Sequence, residues 1–63
     1  MSPLDAHYES TFPTSEKYKV ALDTDAGRRA AEELGLMGEV GIGLPEERAR
    51  EICNRINEKA RTY

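Results

Sequence analysis

The sequence predicts a small α+β fold, in which two helices pack on one face of a two- or three-stranded sheet in the order β-α-β-α. Three observations lead to this fold class. Apolar residues alternate with period two over residues 17–22, recur at helical spacing over residues 26–34, and form a second helical stripe over residues 45–61. The chain has 63 residues, which is enough for one domain.

The N-terminal segment, residues 1–16, is polar, so we expect a loosely held tail in front of a single compact domain over residues 17–63. Within this tail, bulky side chains alternate with polar ones from Tyr8 to Phe12. The alternation favours a short edge strand that ends before Pro13, because proline is tolerated at strand ends and sheet edges.

Two further strands are predicted in the compact domain. The first covers residues 17–22 and turns Tyr18, Val20 and Leu22 to one face, as is typical of a half-buried strand. The second covers residues 39–43 and turns Val40 and Ile42 inward. The glycines in and just before it indicate a bulge or a close backbone contact: Gly38, Gly41 and Gly43. The connection between these two strands, from Asp23 to Gly38, is long enough for a right-handed crossover that would make them parallel.

The first helix is predicted over residues 26–34. The Asp-Thr-Asp triplet at 23–25 offers side-chain oxygens for an N-cap, which explains it better than a phosphatase or calcium-loop motif. Gly35 suits a left-handed residue at the end of the helix, and Leu36 follows as the apolar residue of a Schellman motif. The apolar stripe consists of Gly27, Ala30, Ala31 and Leu34.

The second helix is predicted over residues 45–61. Pro45 suits its first position, where the missing N–H costs nothing. Acidic residues in its first turn and basic residues in its last turn complement the helix dipole. Its apolar stripe consists of Ala49, Ile52, Cys53, Ile56 and Ala60.

No candidate catalytic or metal site emerges from the residue types. Cys53 is the single cysteine and lies on an apolar stripe, so we expect a buried structural thiol. His7, the single histidine, is expected to be exposed and inert in the polar tail. The glycines before the second helix do not predict a phosphate loop, because Glu46 and Glu47 would repel an anion there. We therefore predict a protein that is not an enzyme and holds no cofactor or metal.

Charge is distributed unevenly along the chain. Residues 1–47 hold ten acidic and four basic residues, a net −6, whereas residues 48–63 hold five basic and two acidic residues, a net +3. The N-terminus carries no signal peptide and no apolar run is long enough to span a membrane, so the expected location is cytoplasmic. The core is small, and a homodimer or a partner protein would supply extra burial.

The segment Leu-Pro-Glu-Glu-Arg-Ala-Arg-Glu-Ile-Cys-Asn-Arg-Ile-Asn-Glu-Lys-Ala, residues 44–60, resembles the C-terminal helix of small orphan accessory proteins of phages and mobile elements. In those proteins a short strand or hairpin precedes such a helix. The resemblance implies a small accessory protein, and some members of this group inhibit host complexes such as CRISPR effectors by occupying a surface.

The leading functional prediction is a non-catalytic protein-binding module, in its concrete form an anti-CRISPR-like inhibitor, whose acidic surface faces a basic target. The partner-binding residues would be Glu32, Glu33, Glu39, Glu46 and Glu47. Two alternatives stay open: a small structural subunit of a larger complex, and a nucleic-acid-binding regulator. The second would use Arg48, Arg50, Arg55, Lys59 and Arg61, although a sequence pI near 5 argues against nucleic acid.

Overall fold

The computed structural model describes residues 5–11 and 17–63, and within them two helices pack on one face of a two-stranded antiparallel sheet. This arrangement confirms the α+β class. The elements are β1 (Ala6–Ser10), β2 (Tyr18–Leu22), α1 (Asp25–Leu34), a 3₁₀ turn (Met37–Glu39) and α2 (Glu46–Ala60).

The predicted order β-α-β-α is corrected to β-β-α-α in the described residues, because both strands precede the helices. β1 and β2 pair antiparallel, with Tyr8 opposite Val20 and Ser10 opposite Tyr18. Both segments alternate with period two, and matching inward faces can pair directly as neighbours in the chain. The parallel crossover predicted between residues 17–22 and 39–43 does not form, because Tyr18 meets Leu44 in an isolated antiparallel bridge. β1 begins two residues before the predicted edge strand, whose last residue, Phe12, lies outside the described residues.

The third strand predicted over residues 39–43 is replaced by the 3₁₀ turn and an irregular segment beside β2. Leu44 and Tyr18 exchange two backbone hydrogen bonds of 2.7 Å, and the Gly41 N–H donates to the Val20 carbonyl at 3.1 Å. Gly41 has a φ of +83°, which interrupts the extended conformation that a strand needs. Val40 packs against the core as predicted, but Ile42 is 49% exposed instead of inward.

α1 begins and ends as its sequence predicts. The Thr24 hydroxyl accepts a hydrogen bond from the Gly27 N–H at 3.0 Å and donates one to the Asp5 carboxylate at 2.6 Å. At the other end Gly35 adopts a φ of +71°, and the Leu36 N–H donates to the Ala31 carbonyl at 2.9 Å, which is the Schellman pattern.

α2 contributes five residues to the buried core, and these are the residues of its predicted stripe: Ala49, Ile52, Cys53, Ile56 and Ala60. α1 runs antiparallel to α2, since Leu34 lies beside Arg55 while the Arg29 guanidinium lies 4.7 Å from the Tyr63 ring centroid. The sheet adds Ala6 and Val20 to the core. The outer face of the sheet carries the charged pair of Glu9 and Lys19.

α2 is also fastened to β1 through polar contacts. The Asn57 side chain accepts a hydrogen bond from the Ala6 N–H at 2.8 Å and donates one to the Ala6 carbonyl at 3.0 Å. The Cys53 thiol donates to the same carbonyl at 3.1 Å. The N–H and the carbonyl of Ala6 both point away from β2, and both are therefore satisfied by side chains of α2.

Candidate protein-interaction surface

The structure distributes the five predicted partner-binding carboxylates over three elements. Two lie in α1, one in the 3₁₀ turn and two in the first turn of α2: Glu32, Glu33, Glu39, Glu46 and Glu47. Four of them are exposed, and Glu39 is partly buried. Four of them flank the connection between the two helices, residues 35–45, along the sequence, and Glu39 lies within it.

Glu39 is neutralised within the fold. Its carboxylate accepts two hydrogen bonds from the Arg48 guanidinium, at 2.9 and 3.0 Å, and Glu51 lies 3.3 Å from the same guanidinium. The hydrogen bonds and the charge of Glu39 raise the pKa of Arg48 above its usual value. Glu39 therefore fixes the 3₁₀ turn to α2, and its charge is already balanced before any partner arrives.

The other four carboxylates are more available. Glu33 lies 3.5 Å from Arg29, in an exposed i,i+4 pair of the kind that contributes little to stability. Glu32, Glu46 and Glu47 form no ion pair with any described residue. The charge of Glu46 raises the pKa of Tyr18, the first residue of β2, above its usual value.

The connection also exposes two large apolar side chains that sequence reasoning missed. Met37 is 40% exposed and Ile42 is 49% exposed. The 39–43 pattern predicted Ile42 to point inward, but the positive φ of Gly41 breaks the alternation before it. The glycines that flank Ile42 were the available signal, since they make a regular strand unfavourable.

The basic residues of α2 divide between two sides of the helix. Arg48, Arg55 and Lys59 recur at helical spacing on the side that meets α1 and the 3₁₀ turn. Arg55 and Lys59 line a groove of about 290 Å³ together with Leu34, Glu58 and Thr62. Arg50 and Arg61 lie on the other side, and the five residues do not form one continuous basic patch.

The two side chains that could take part in catalysis, Cys53 and His7, are both held in contacts within the fold. Cys53 is buried, and burial is the main reason that its pKa is raised, which disfavours the nucleophilic thiolate. His7 is not isolated as its sequence position suggested, because its Nδ1 lies 2.6 Å from an oxygen of Asp23. Among residues 5–11 and 17–63, no group of three or more His, Cys, Asp or Glu side chains is placed to hold a metal ion.

Comparison of the chain with protein-family models, with curated proteins and with solved structures gave no match. Within the part of the chain that the structure describes, no helix is both long enough and apolar enough to cross a membrane.

Proposed function

We propose that this protein is a non-catalytic protein-binding module, whose contact surface is the connection between α1 and α2 together with the carboxylates that border it. The observation that carries the proposal is the exposure of Met37 and Ile42 in a connection that acidic residues flank along the sequence. Protein interfaces commonly combine a few apolar anchors at the centre with a polar rim, and methionine is enriched in them.

The charges of the border define the kind of target. Glu32, Glu46 and Glu47 are exposed and form no ion pair with a described residue. Their carboxylates would face a basic surface, which would speed encounter and select against acidic proteins. Glu39 takes a supporting part, because its pair with Arg48 holds the 3₁₀ turn that presents Met37.

The resemblance of residues 44–60 to accessory proteins of phages and mobile elements supplies a setting for this activity. In that setting the protein is an inhibitor of a host complex, of the anti-CRISPR type, and acts in the cytoplasm by occupying a basic surface. The division of the basic residues between two sides of α2 makes nucleic acid a less suitable partner.

The test is capture of a partner by the tagged chain from a lysate of cells that carry its gene. We expect one stoichiometric protein that is bound at low salt and released at high salt, because exposed charge pairs are screened. The double variant Met37→Ser, Ile42→Ser should lower its affinity by roughly tenfold or more, as removal of interface anchors does.

Glu47→Lys and Glu58→Lys form a matched pair for the electrostatic part. Both residues are exposed on α2, but they lie about 16 Å apart along the helix axis. Only Glu47→Lys should weaken capture if the border carries recognition. Equal effects of the two variants, or unchanged capture by the Met37 and Ile42 variant, would exclude this surface, provided that circular dichroism shows the variants to be folded.

A further inference from the structure

The outer edge of β1 is the second surface that the described residues, 5–11 and 17–63, leave open. The Asp23 N–H donates to the Asp5 carbonyl at 2.9 Å, and the Thr11 N–H donates to the Lys17 carbonyl at 2.9 Å. In an antiparallel ladder the bonding direction alternates from residue to residue. His7 and Glu9 therefore direct their backbone groups toward β2, whereas Ala6, Tyr8 and Ser10 direct theirs away from it.

Two of these three outward residues are available to a partner. The N–H and carbonyl of Ala6 are both bonded by Asn57, as described above. The outward groups of Tyr8 and Ser10 form no hydrogen bond with any described residue. Tyr8 is half-buried and Ser10 is exposed. The opposite edge of the sheet is covered, since Gly41 and Leu44 bond to β2.

A stripe of long polar side chains on α2 borders the open edge. Arg50, Asn54, Asn57 and Arg61 are spaced by four, three and four residues, which places them on one side of the helix. Asn57 fixes that side against β1 through its bonds to Ala6. Asn54, Asn57, Glu58 and Arg61 line a groove of about 260 Å³ there. Neither Arg50 nor Arg61 forms an ion pair with a described residue.

We propose that the open edge of β1 binds an extended segment of another protein as an added strand, with acidic side chains of that segment facing the Arg50–Arg61 stripe. Strand addition uses the free backbone groups for affinity and alternate side chains for specificity. Since alternate residues of an added strand point to the helix-bearing face of the sheet, carboxylates at those positions would meet two guanidinium groups that pair with no described residue.

Charge disfavours a second copy of this chain as the occupant. In a two-fold antiparallel pairing, the free groups of Tyr8 would bond those of Ser10 in the other copy, and Glu9 would lie opposite its own equivalent. Like charges that are directly opposite destabilise a strand pair. The same symmetry would bring the two Arg50–Arg61 stripes toward each other, so the arginines would also repel.

This surface is tested with two synthetic peptides that alternate threonine with either glutamate or lysine. Each is titrated into the isotope-labelled protein while the amide signals of Tyr8 and Ser10 are followed by NMR. We expect the acidic peptide to shift both signals and to bind roughly tenfold tighter than the basic peptide at low salt, with a smaller difference at high salt.

Two matched pairs of variants locate the contact. Ser10→Pro removes an outward N–H without removing a bond between β1 and β2, so it should weaken acidic-peptide binding by roughly tenfold, whereas Ser10→Ala should not. Arg50→Glu with Arg61→Glu should reverse the preference between the peptides. Arg55→Glu, on the other side of α2, should leave it unchanged.

Equal affinity for the two peptides, or no binding of either, would overturn the proposal. So would acidic-peptide binding that survives Ser10→Pro in a folded variant. Concentration-dependent protection of the Tyr8 and Ser10 amides without peptide would show that a second copy occupies the edge. None of these results bears on Met37 and Ile42, which lie on the connection beside the opposite edge of the sheet.

Discussion

Gly27 lies in the first turn of α1, where its α-carbon faces the backbone of Asp5. A β-carbon built at this position would clash with the Asp5 carbonyl oxygen, which is itself held by the Asp23 N–H. The helical stripe predicted Gly27 to be buried, and it is. The sequence offered no reason to expect that the contact partner would be a residue of the N-terminal segment.

We expect Gly27→Ala to lower the free energy of unfolding by about 1–3 kcal/mol, because the backbone of Asp5 must move. This outcome opposes the usual gain of about 1 kcal/mol from replacing glycine in a helix. Urea denaturation measures the change. Gly38→Ala is the control, since a β-carbon added at Gly38 would meet no described atom of its surroundings within 4 Å. An equal effect at both positions would argue against the contact.

Cys53 should make stability depend on pH. Burial raises the pKa of its thiol, and the charge of Asp23 adds to this, while the hydrogen bond from Asn57 lowers it. The unfolded chain loses the thiol proton at about pH 8.5, before the folded chain does. The stabilisation is therefore complete below that pH and is lost as the pH rises toward the folded-state value.

Urea denaturation at about pH 7.5 and about pH 9.5 tests this expectation. The loss of stability between the two values should be smaller in Cys53→Ala than in the unmodified chain, although the variant is less stable at both. Parallel losses in the two proteins would contradict a raised thiol pKa. The Tyr18 hydroxyl is present in both, so its own raised pKa cancels in the difference.

At the scale of elements, the features that depend on neighbouring residues were predictable. The cap from the 23–25 triplet, which Thr24 supplies, the left-handed Gly35 and the stripe of α2 each arise within a few positions of the chain, and each is confirmed. The pairing of β1 with β2 was not predicted, because two adjacent alternating segments fit either a hairpin or separate strands. The irregular 40–44 segment depends on Gly41, whose φ the residue type permits but does not fix.

The candidate surface was predictable to a similar degree. Its acidic residues can be read from the composition of the first three quarters of the chain. The pairing of Glu39 with Arg48 could not be predicted from the composition, because it joins the 3₁₀ turn to α2 in space. The exposure of Ile42 was signalled only by its flanking glycines, which disfavour a regular strand, and nothing in the residues around Met37 indicated its exposure.

For the whole molecule, the core is thin and rich in alanine. Ten described hydrophobic residues are buried, and five of them are alanines. Small side chains let the helices approach each other and the sheet closely, but they bury little apolar area each. Polar fastening between distant parts of the chain, such as Asn57 with Ala6, therefore carries more weight than in a larger domain.

We expect Asn57→Ala to lower the free energy of unfolding by about 1–3 kcal/mol, because the N–H of Ala6 loses its acceptor and the carbonyl loses one of two donors. The cooperativity of thermal unfolding, followed by circular dichroism, should also decrease. Asn54→Ala is the matched control, since Asn54 is exposed and makes no hydrogen bond to a described residue. Similar losses in both variants would show that the hydrogen bonds between Asn57 and Ala6, which act as a clamp, contribute little to stability.

The clamp between Asn57 and Ala6 spans 51 positions of the chain, and this separation has a consequence for biosynthesis. A ribosome delivers β1 before α2, so the strand waits for its helix while the residues between them are translated. Half of the described buried hydrophobic residues also arrive with α2. The fold is therefore completed only after residue 60 has left the exit tunnel, and until then the backbone groups of Ala6 lack their partner in α2.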